Sequence, residues 1–411
     1  MVRAFFSRVL IFKQISLLLF VCTIVICIIL LRFEKSSCAI ADSNDCILVD
    51  TSISTKSPDV KIRIMCVGDI MTHYPLVLAA KVKNTKRYDF TSSFEMVSPL
   101  FKQADIVIGN LETVLAGDQY GISGYPTFNG PQALAKDLKT AGFTVLTTAN
   151  NHSFDKKVSG LKSTIKLLDS VGISHTGTFT DPKTTNRSLI IPVKGYLIGI
   201  LSYTYGTNGE LSKKAQKYIN IIDSGSILKD IDSLQNKKVD IIIASVHFGS
   251  EYMMFPSEKQ KEIVSFFWNN GVTIVFGHHS HILQPAVLDT THNCFTVFSL
   301  GNFMSNQKGE NKEYGGIADI TIQKPITDSL FKITSAVVHP TCMFKWSENS
   351  RPRYSILLIE ELSGNKLPSK YPGRMLKVAD TLPFLNSHFN VLDCKFNYVT
   401  KQTGRSSDSC R

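Results

Sequence analysis

Val239-Asp240-Ile241-Ile242-Ile243-Ala244-Ser245-Val246-His247-Phe248-Gly249-Ser250-Glu251 is the stretch that decides the fold class. Val239 to Ser245 is mostly Val and Ile and does not alternate with polar residues. A strand of that kind is buried on both faces, as in the central strands of a layered α/β protein. The run then stops at His247, a residue with metal-binding and proton-transfer chemistry. The same form recurs where apolar β-formers lead into Gly68-Asp69-Ile70-Met71, Asn110-Leu111-Glu112, Asn150-Asn151-His152 and His278-His279-Ser280-His281. Strands that repeatedly end in Asp, Asn, Glu or His describe loops gathered at one edge of a sheet. Oxygen and imidazole donors converging there suit a divalent metal, and loops on a rigid scaffold are where binding and catalytic groups sit.

Between these strands the pattern turns helical. Ser93–Gln103 reads as a helix feeding the strand Ala104–Gly109, and Gln132–Ala141 as a short amphipathic helix closed by Gly142. Val158–Val171 is helical with Gly172 as terminator, Ser188–Val193 and Tyr196–Tyr203 resemble a hairpin, and Ile227–Leu234 is a weaker helix. Ser257 caps a helix running to Asn269. Ile317–Gln323, Phe331–Val338 and Tyr354–Glu360 read as strands of one outer sheet, followed by turns, a helix near Met375–Leu385 and a polar tail. The expected fold is α/β: two mixed sheets packed face to face with helices outside.

The 411 residues are 43% hydrophobic and 10% aromatic, which excludes a mainly disordered chain. The net charge of +11 is dispersed, without a basic arm or any nucleic-acid-binding motif, so no nucleic acid partner is expected. A basic surface suits a cell wall, an anionic lipid or a polyanionic polymer. Ile15–Leu31 is uncharged and apolar, long enough to span a bilayer, and Arg3, Arg8 and Lys13 precede it. That bias predicts a single-pass protein of the cell membrane, with residues 1–14 cytoplasmic and the main domain outside. Arg32, Glu34 and Lys35 separate the run from Ala39-Ile40-Ala41, which favours an uncleaved anchor over a signal peptide. Residues 32–60 read as a linker, 61–320 as the main domain, and 321–411 as strands and tail completing it or appended to it. Of nine cysteines, Cys22 and Cys27 fall in the anchor. Cys38–Cys46 and Cys394–Cys410 are the pairs nearest in sequence, and Cys66 reads as an inert thiol in a strand.

His279 and His281 are two apart, so in an extended loop both imidazoles point the same way, and His278 adds a third candidate. His247 stands in the same kind of position. Asp69 alone would read as a turn aspartate, and Glu112 alone as a solvated charge. His152 is suited to move a proton, and Asp155, three residues on, to orient it. P-loop, G-x-G-x-x-G, G-x-S-x-G and H-E-x-x-H patterns are absent.

Taken in order, Gly68-Asp69-Ile70-Met71, Asn110-Leu111-Glu112, Ala149-Asn150-Asn151-His152 with Asp155, His247-Phe248-Gly249-Ser250-Glu251, Gly277-His278-His279-Ser280-His281 and Ser299-Leu300-Gly301-Asn302-Phe303 resemble the CapA/PgsA family of poly-γ-glutamate capsule synthesis proteins. That family looks like a divergent branch of the calcineurin-like metallophosphoesterases, and the likeness covers residues 61–320. The resemblance implies a metallophosphatase-like four-layer sandwich holding one or two divalent metals (Mn, Fe or Zn). Asp69, Glu112, Asn151, His247, His279 and His281 would be the ligands, and His152 with Asp155 the catalytic pair. It further implies an anionic capsule polymer, poly-γ-glutamate, as partner, together with the membrane and the capsule synthase membrane proteins. Met71 stands where active phosphoesterases carry a His, with His73 nearby, and Glu112 or Asn110 must serve where they carry an Asp. The implied role is a membrane-anchored factor that binds the polymer and acts on it through metal. The alternatives are a non-catalytic assembly factor and an extracellular phosphoesterase.

Overall fold

The computed structural model describes residues 59–209, 213–325, 328 and 330–359. The expected anchor, most of the linker, Cys22, Cys27, Cys38, Cys46, Cys394, Cys410 and the helix near Met375–Leu385 lie outside the described residues. Among the described residues, no helix is long and apolar enough to cross a membrane.

The first sheet is built on β1 (Val60–Ile70), with β2 (Ile106–Leu111), β3 (Val145–Thr147) and β4 (Ser174–Thr176) following in parallel on one side. The second sheet has the order β5 (Leu189–Val193), β6 (Tyr196–Thr204), β7 (Ile241–His247), β8 (Ile274–His278), β10 (Cys294–Val297), β9 (Ala286–Asp289). Its β6, β7, β8 and β10 are parallel, and its two edges are antiparallel. On the other side of β1, β12 (Tyr314–Lys324), β13 (Lys332–Glu348) and β14 (Arg351–Leu358) continue the first sheet antiparallel. The short β11 (Asn302–Met304) takes over as partner of β1 from Asp69 onward.

Alternation along the central strands assigns the layers. Ile62, Ile64 and Cys66 of β1 pack with Ile200 of β6, Ile241 and Ile243 of β7 and Ile274 of β8, forming the core between the sheets. Met65 and Val67 face the other way, onto Phe94, Phe101, Leu134, Leu138 and Leu168. On the second sheet, Ile242, Ala244 and Val246 turn outward to Ile227, Ile231, Val264 and Phe267 of the helices Ser224–Asn236 and Glu258–Asn269. Each such aliphatic or Phe side chain contributes about 1.5–3 kcal/mol by leaving water. A strand with both faces covered is apolar wherever no buried partner satisfies a polar group, which is why Ile241–Ala244 of β7 reads as an uninterrupted run. Cys66, Cys294 and Cys342 are buried free thiols, and burial pushes Cys66 well above the ordinary thiol range.

The helix boundaries follow local chemistry. Ser257 and Gln260 form a reciprocal capping box, and Asp223 caps Ser224–Asn236 by accepting from the Ser226 N–H. Ser93–Gln103 is not one helix: it divides into Thr91–Phe94 and Ser98–Phe101, with Pro99 in the first turn of the second. The three C-terminal strands lie side by side in one sheet, as expected. They extend the first sheet, and β13 runs for 17 residues, far beyond Phe331–Val338.

Candidate metal centre

The C-terminal ends of the parallel strands in both sheets meet at one edge. Asp69 ends β1, Asn110 and Glu112 lie at the end of β2, Asn150 to His152 follow β3, His247 ends β7, and His278 to His281 end and follow β8. Two glycines let the strands approach. A Cβ on Gly68 would lie 2.1 Å from the Gly301 carbonyl oxygen, and one on Gly277 would lie 2.0 Å from that of Phe298. The register slips between Val67 and Asp69, a bulge that re-aims Asp69 toward Asn110. Ser245 Oγ donates to Thr147 Oγ1 at 3.0 Å, tying the two sheets together just below the edge.

Asn110 organises the floor. Its Nδ2 donates to Asp69 Oδ1 (2.8 Å) and lies 3.3 Å from His247 Nδ1, while its Oδ1 accepts from Asn150 Nδ2 (3.2 Å). Its polar atoms are committed to these contacts, so of the two residues at the end of β2 it is Glu112 that is left as an open donor. His247 Nε2 lies 2.9 Å from Asn151 Oδ1 and 3.5 Å from Glu112 Oε1. His281 Nδ1 lies 3.0 Å from Asp69 Oδ2, and its Nε2 lies 3.8 Å from Glu112 Oε1. The His279 ring is centred 4.7 Å from that of His247 and 6.0 Å from that of His281. Thus Asp69, Glu112, Asn151, His247, His279 and His281 converge, all buried.

The reason His279 and His281 meet is not an extended loop. Their backbones sit at φ +91° and +57°, in the left-handed region that β-carbon-bearing residues rarely adopt. Such strain persists only where the surroundings over-determine it. Here the His279 N–H points at Asp69 Oδ2 (3.4 Å) and the Ser280 hydroxyl donates to the Ile282 carbonyl (2.6 Å).

Both Glu112 carboxylate oxygens are buried without a hydrogen-bond partner, as is His279 Nδ1, while His278 Nδ1 lies 3.4 Å from Asp69 Oδ1. A buried carboxylate left without hydrogen bonds is costly unless a cation shares it. Donor atoms of Glu112, His247 and His279 lie within 4.8 Å of one another, and so do those of Asp69, Glu112 and His281. Carboxylate, amide oxygen and imidazole together fit a borderline divalent ion. The electrostatics agree. Burial, then the charges of Asp69 and Glu251, push the Glu112 carboxyl well above its ordinary range. Burial acts on Asp69 in the same sense, but hydrogen bonds and positive charge from His278 and His281 outweigh it and hold Asp69 well below. Burial, with the neighbouring His281, lowers His279 to about 4, and burial lowers His247 strongly.

Beside this cluster, His152 Nδ1 lies 2.7 Å from Asp155 Oδ2, which also accepts from the Phe128 N–H (2.6 Å). His73 lies close by, its Nδ1 accepting from the Asn306 N–H (3.3 Å) and its ring edge-on to Phe128 at 5.1 Å. Met71 is buried. Three residues at the site were not picked out from sequence. Asn208 bonds the Asn151 carbonyl through its backbone N–H (2.7 Å) and places Nδ2 3.3 Å from both ring nitrogens of His152. Tyr205 tilts against His279 at 4.7 Å, and Tyr252 lies 6.1 Å from His281. Asn208 and Tyr205 come from the loop after β6, which ends in no polar cluster. Tyr252 adjoins Glu251, and that adjacency was the available signal.

Residues 63–307 match the family model described as bacterial capsule synthesis protein PGA_cap. The chain is 30% identical over 256 residues to "Capsule biosynthesis protein CapA" of Bacillus anthracis, covering 60% of this chain and 60% of that one. It therefore spans about three-fifths of that relative's length. It is 28% identical over 295 residues to "PGA biosynthesis protein CapA" of Bacillus subtilis (strain 168), covering 70% and 74%. Among solved structures it is similar to the calcineurin-like phosphoesterase YfkN from Bacillus subtilis, at 16% identity and a TM-score of 0.44, covering 80% of this chain and 98% of that one.

Proposed function

This chain belongs to the bacterial capsule synthesis protein PGA_cap family, and from that premise we propose that it serves the synthesis or export of an anionic capsule polymer, poly-γ-glutamate. In this reading the chain is anchored by Ile15–Leu31, and the domain faces the outside of the membrane beside the capsule synthase proteins. It binds the emerging polymer and acts on it at the Asp69–Glu112 edge. The observation that carries the reading is the buried Glu112 carboxylate, unpartnered and shared by two donor groups.

Asp69, Glu112, Asn151, His247, His279 and His281 would hold Mn, Fe or Zn. When bound, such an ion polarises a carbonyl or phosphoryl oxygen and lowers the pKa of water. The chain's own residues do the rest. Asp155 Oδ2, already held by the Phe128 N–H, takes the Nδ1 side of His152, which leaves Nε2 to carry a proton to or from the reacting group. The Asn208 amide over the ring keeps that nitrogen aimed. Every residue of poly-γ-glutamate carries a free carboxylate, which matches a cationic site and a chain of net charge +11.

The test uses the purified full-length chain in detergent. Elemental analysis is expected to find stoichiometric metal that is lost in the double variant His279→Ala/His281→Ala. Incubation with poly-γ-glutamate is expected to shorten the polymer, with His152→Ala inactive; unchanged polymer length together with no retention of polymer refutes the reading. A second reading, a phosphoesterase, rests on that same observation, because two-metal clamps also serve phosphoryl transfer. Turnover of a phosphodiester reporter without polymer shortening selects it.

A further inference from the structure

The turn that follows β7 is fixed to the histidine loop from both ends. The Phe248 N–H donates to the His278 carbonyl (3.3 Å) and the Tyr252 N–H to the Ser280 carbonyl (2.7 Å). Gly249, at φ +94°, packs so closely that a Cβ there would lie 2.6 Å from the Gln260 side chain, and Tyr252 is itself at φ +64°. The carboxylate on this turn, Glu251, is exposed, yet one of its oxygens lies within 4.8 Å of a ring nitrogen on His279 and another on His281. His279 Nδ1 is buried and has no hydrogen-bond partner. His279 and His281 also belong to the deeper groups that contain Glu112.

We propose that Glu251 is the outermost ligand of the metal centre, closing it on the solvent side with His279 and His281, and that it is the ligand a substrate carboxylate replaces. The inference rests on reading the buried cluster as a metal centre. Asp69, Glu112 and His247 are fixed at strand ends, so none of them can leave without disturbing the sheet edge. Glu251 can leave, because its side chain is exposed and hydrogen-bonded only to the neighbouring Tyr252 side chain, while the turn itself is held through the backbones of Phe248 and Tyr252. Exchange of one carboxylate for another conserves the charge and the donor type at the ion, so little electrostatic cost opposes it. Beside the exchange point, Lys312 Nζ sits 3.6 Å from the centre of the Tyr252 ring, a cation placed to receive the incoming or the displaced carboxylate. The ligand class selected is therefore a free carboxylate.

The experiment compares full-length wild type with Glu251→Gln, measuring Mn2+ affinity by equilibrium dialysis with and without acetate. Glu251→Gln is expected to bind Mn2+ about tenfold more weakly. Acetate at millimolar concentration is expected to recover most of that loss, while the chelated variant melts with the wild type because Glu251 is exposed. Equal affinity of variant and wild type, within twofold, overturns the role of Glu251 and leaves the deeper centre standing. A wild type that binds no Mn2+ overturns both. Weaker binding that acetate does not recover removes the exchange with a substrate carboxylate.

Discussion

Glu112→Gln makes the protein more stable without metal and less stable with it. In the chelated wild type, Glu112 is fully buried, neither oxygen is hydrogen-bonded, and Asp69 and Glu251 add like charge. Its folded pKa lies well above the unfolded value of about 4.5, so the folded state holds the proton where the unfolded state has released it. With more protons bound folded than unfolded, stability falls as pH rises from about 4.5 toward the folded pKa, at about 1.4 kcal/mol per pH unit. Each pH unit between about 4.5 and the folded pKa therefore costs the chelated wild type up to about 1.4 kcal/mol relative to Glu112→Gln, less any relaxation around the charge. The lowered histidines, His247 and His279, act in the opposite sense, but they are common to both proteins and cancel in the difference. In a domain of this size each such unit amounts to about 2 °C in Tm, so the variant melts above the wild type at pH 7 in EDTA. Saturating Mn2+ reverses the order. At a hundredfold excess over Kd the wild type gains about 2.7 kcal/mol, or about 4 °C, and the variant gains almost none. Thermal melts at pH 5 and 7, with EDTA and with Mn2+, check both halves. An EDTA-treated variant no more stable than wild type at pH 7, or a variant that gains as much from Mn2+, refutes the account of Glu112.

Away from the site, Asp319 lies between Arg63 (2.6 Å) and His339 (3.2 Å) and is held at about 2, because hydrogen bonds and charge from these partners outweigh its burial. Its contribution is full above the unfolded value of about 3.8 and is lost as pH falls through 2; partial exposure of Arg63 reduces it to about 1 kcal/mol, so Asp319→Asn melts earlier at pH 7 and by a much smaller margin at pH 2.5. Gly277→Ala sets a Cβ 2.0 Å from the Phe298 carbonyl oxygen and is expected to cost about 3 kcal/mol or more in urea unfolding; a loss under 1 kcal/mol contradicts the close approach of the strands. Ser257→Ala removes the capping box of Glu258–Asn269 and is expected to cost about 1 kcal/mol in the same assay, with Ser257→Asp retaining most of it.

What the sequence disclosed and what it hid divide along a physical line. The central strands were legible because their middles are covered on both faces, so burial forces an apolar run, such as Ile64–Val67 of β1 or Ile241–Ala244 of β7, and the polar cluster that follows marks the end. That gave β1, β2, β7 and β8, and with them Asp69, Glu112, His247 and the histidine loop. The edge strands were not. β13 alternates irregularly between exposed and buried positions along its 17 residues, so periodicity revealed less than half of it. The helix at Ser93–Gln103 failed because Pro99 opens a new helix there rather than continuing the old one. The geometry of the histidine loop was hidden for a different reason. Positive φ at His279 and His281 follows from tertiary contacts with Asp69, which no local pattern encodes.

The same line explains why Asn110 and Glu112, two residues apart, have opposite fates. From sequence they were interchangeable donors at one strand end. In the folded chain Asn110 lies within the ladder of β2, paired with Asp69, where its amide is surrounded and every polar atom is used. Glu112 lies just beyond the ladder, its backbone N–H bonded to the Ile70 carbonyl (3.0 Å) and its side chain turned into the space the histidines share. Ladder membership sets which side chain is committed to holding the scaffold and which remains available to a ligand. An Asn110→Ala variant is accordingly expected to displace Asp69 and His247 together, whereas Glu112→Gln leaves both in place and removes only the carboxylate a cation would share; crystal structures of the two variants check this.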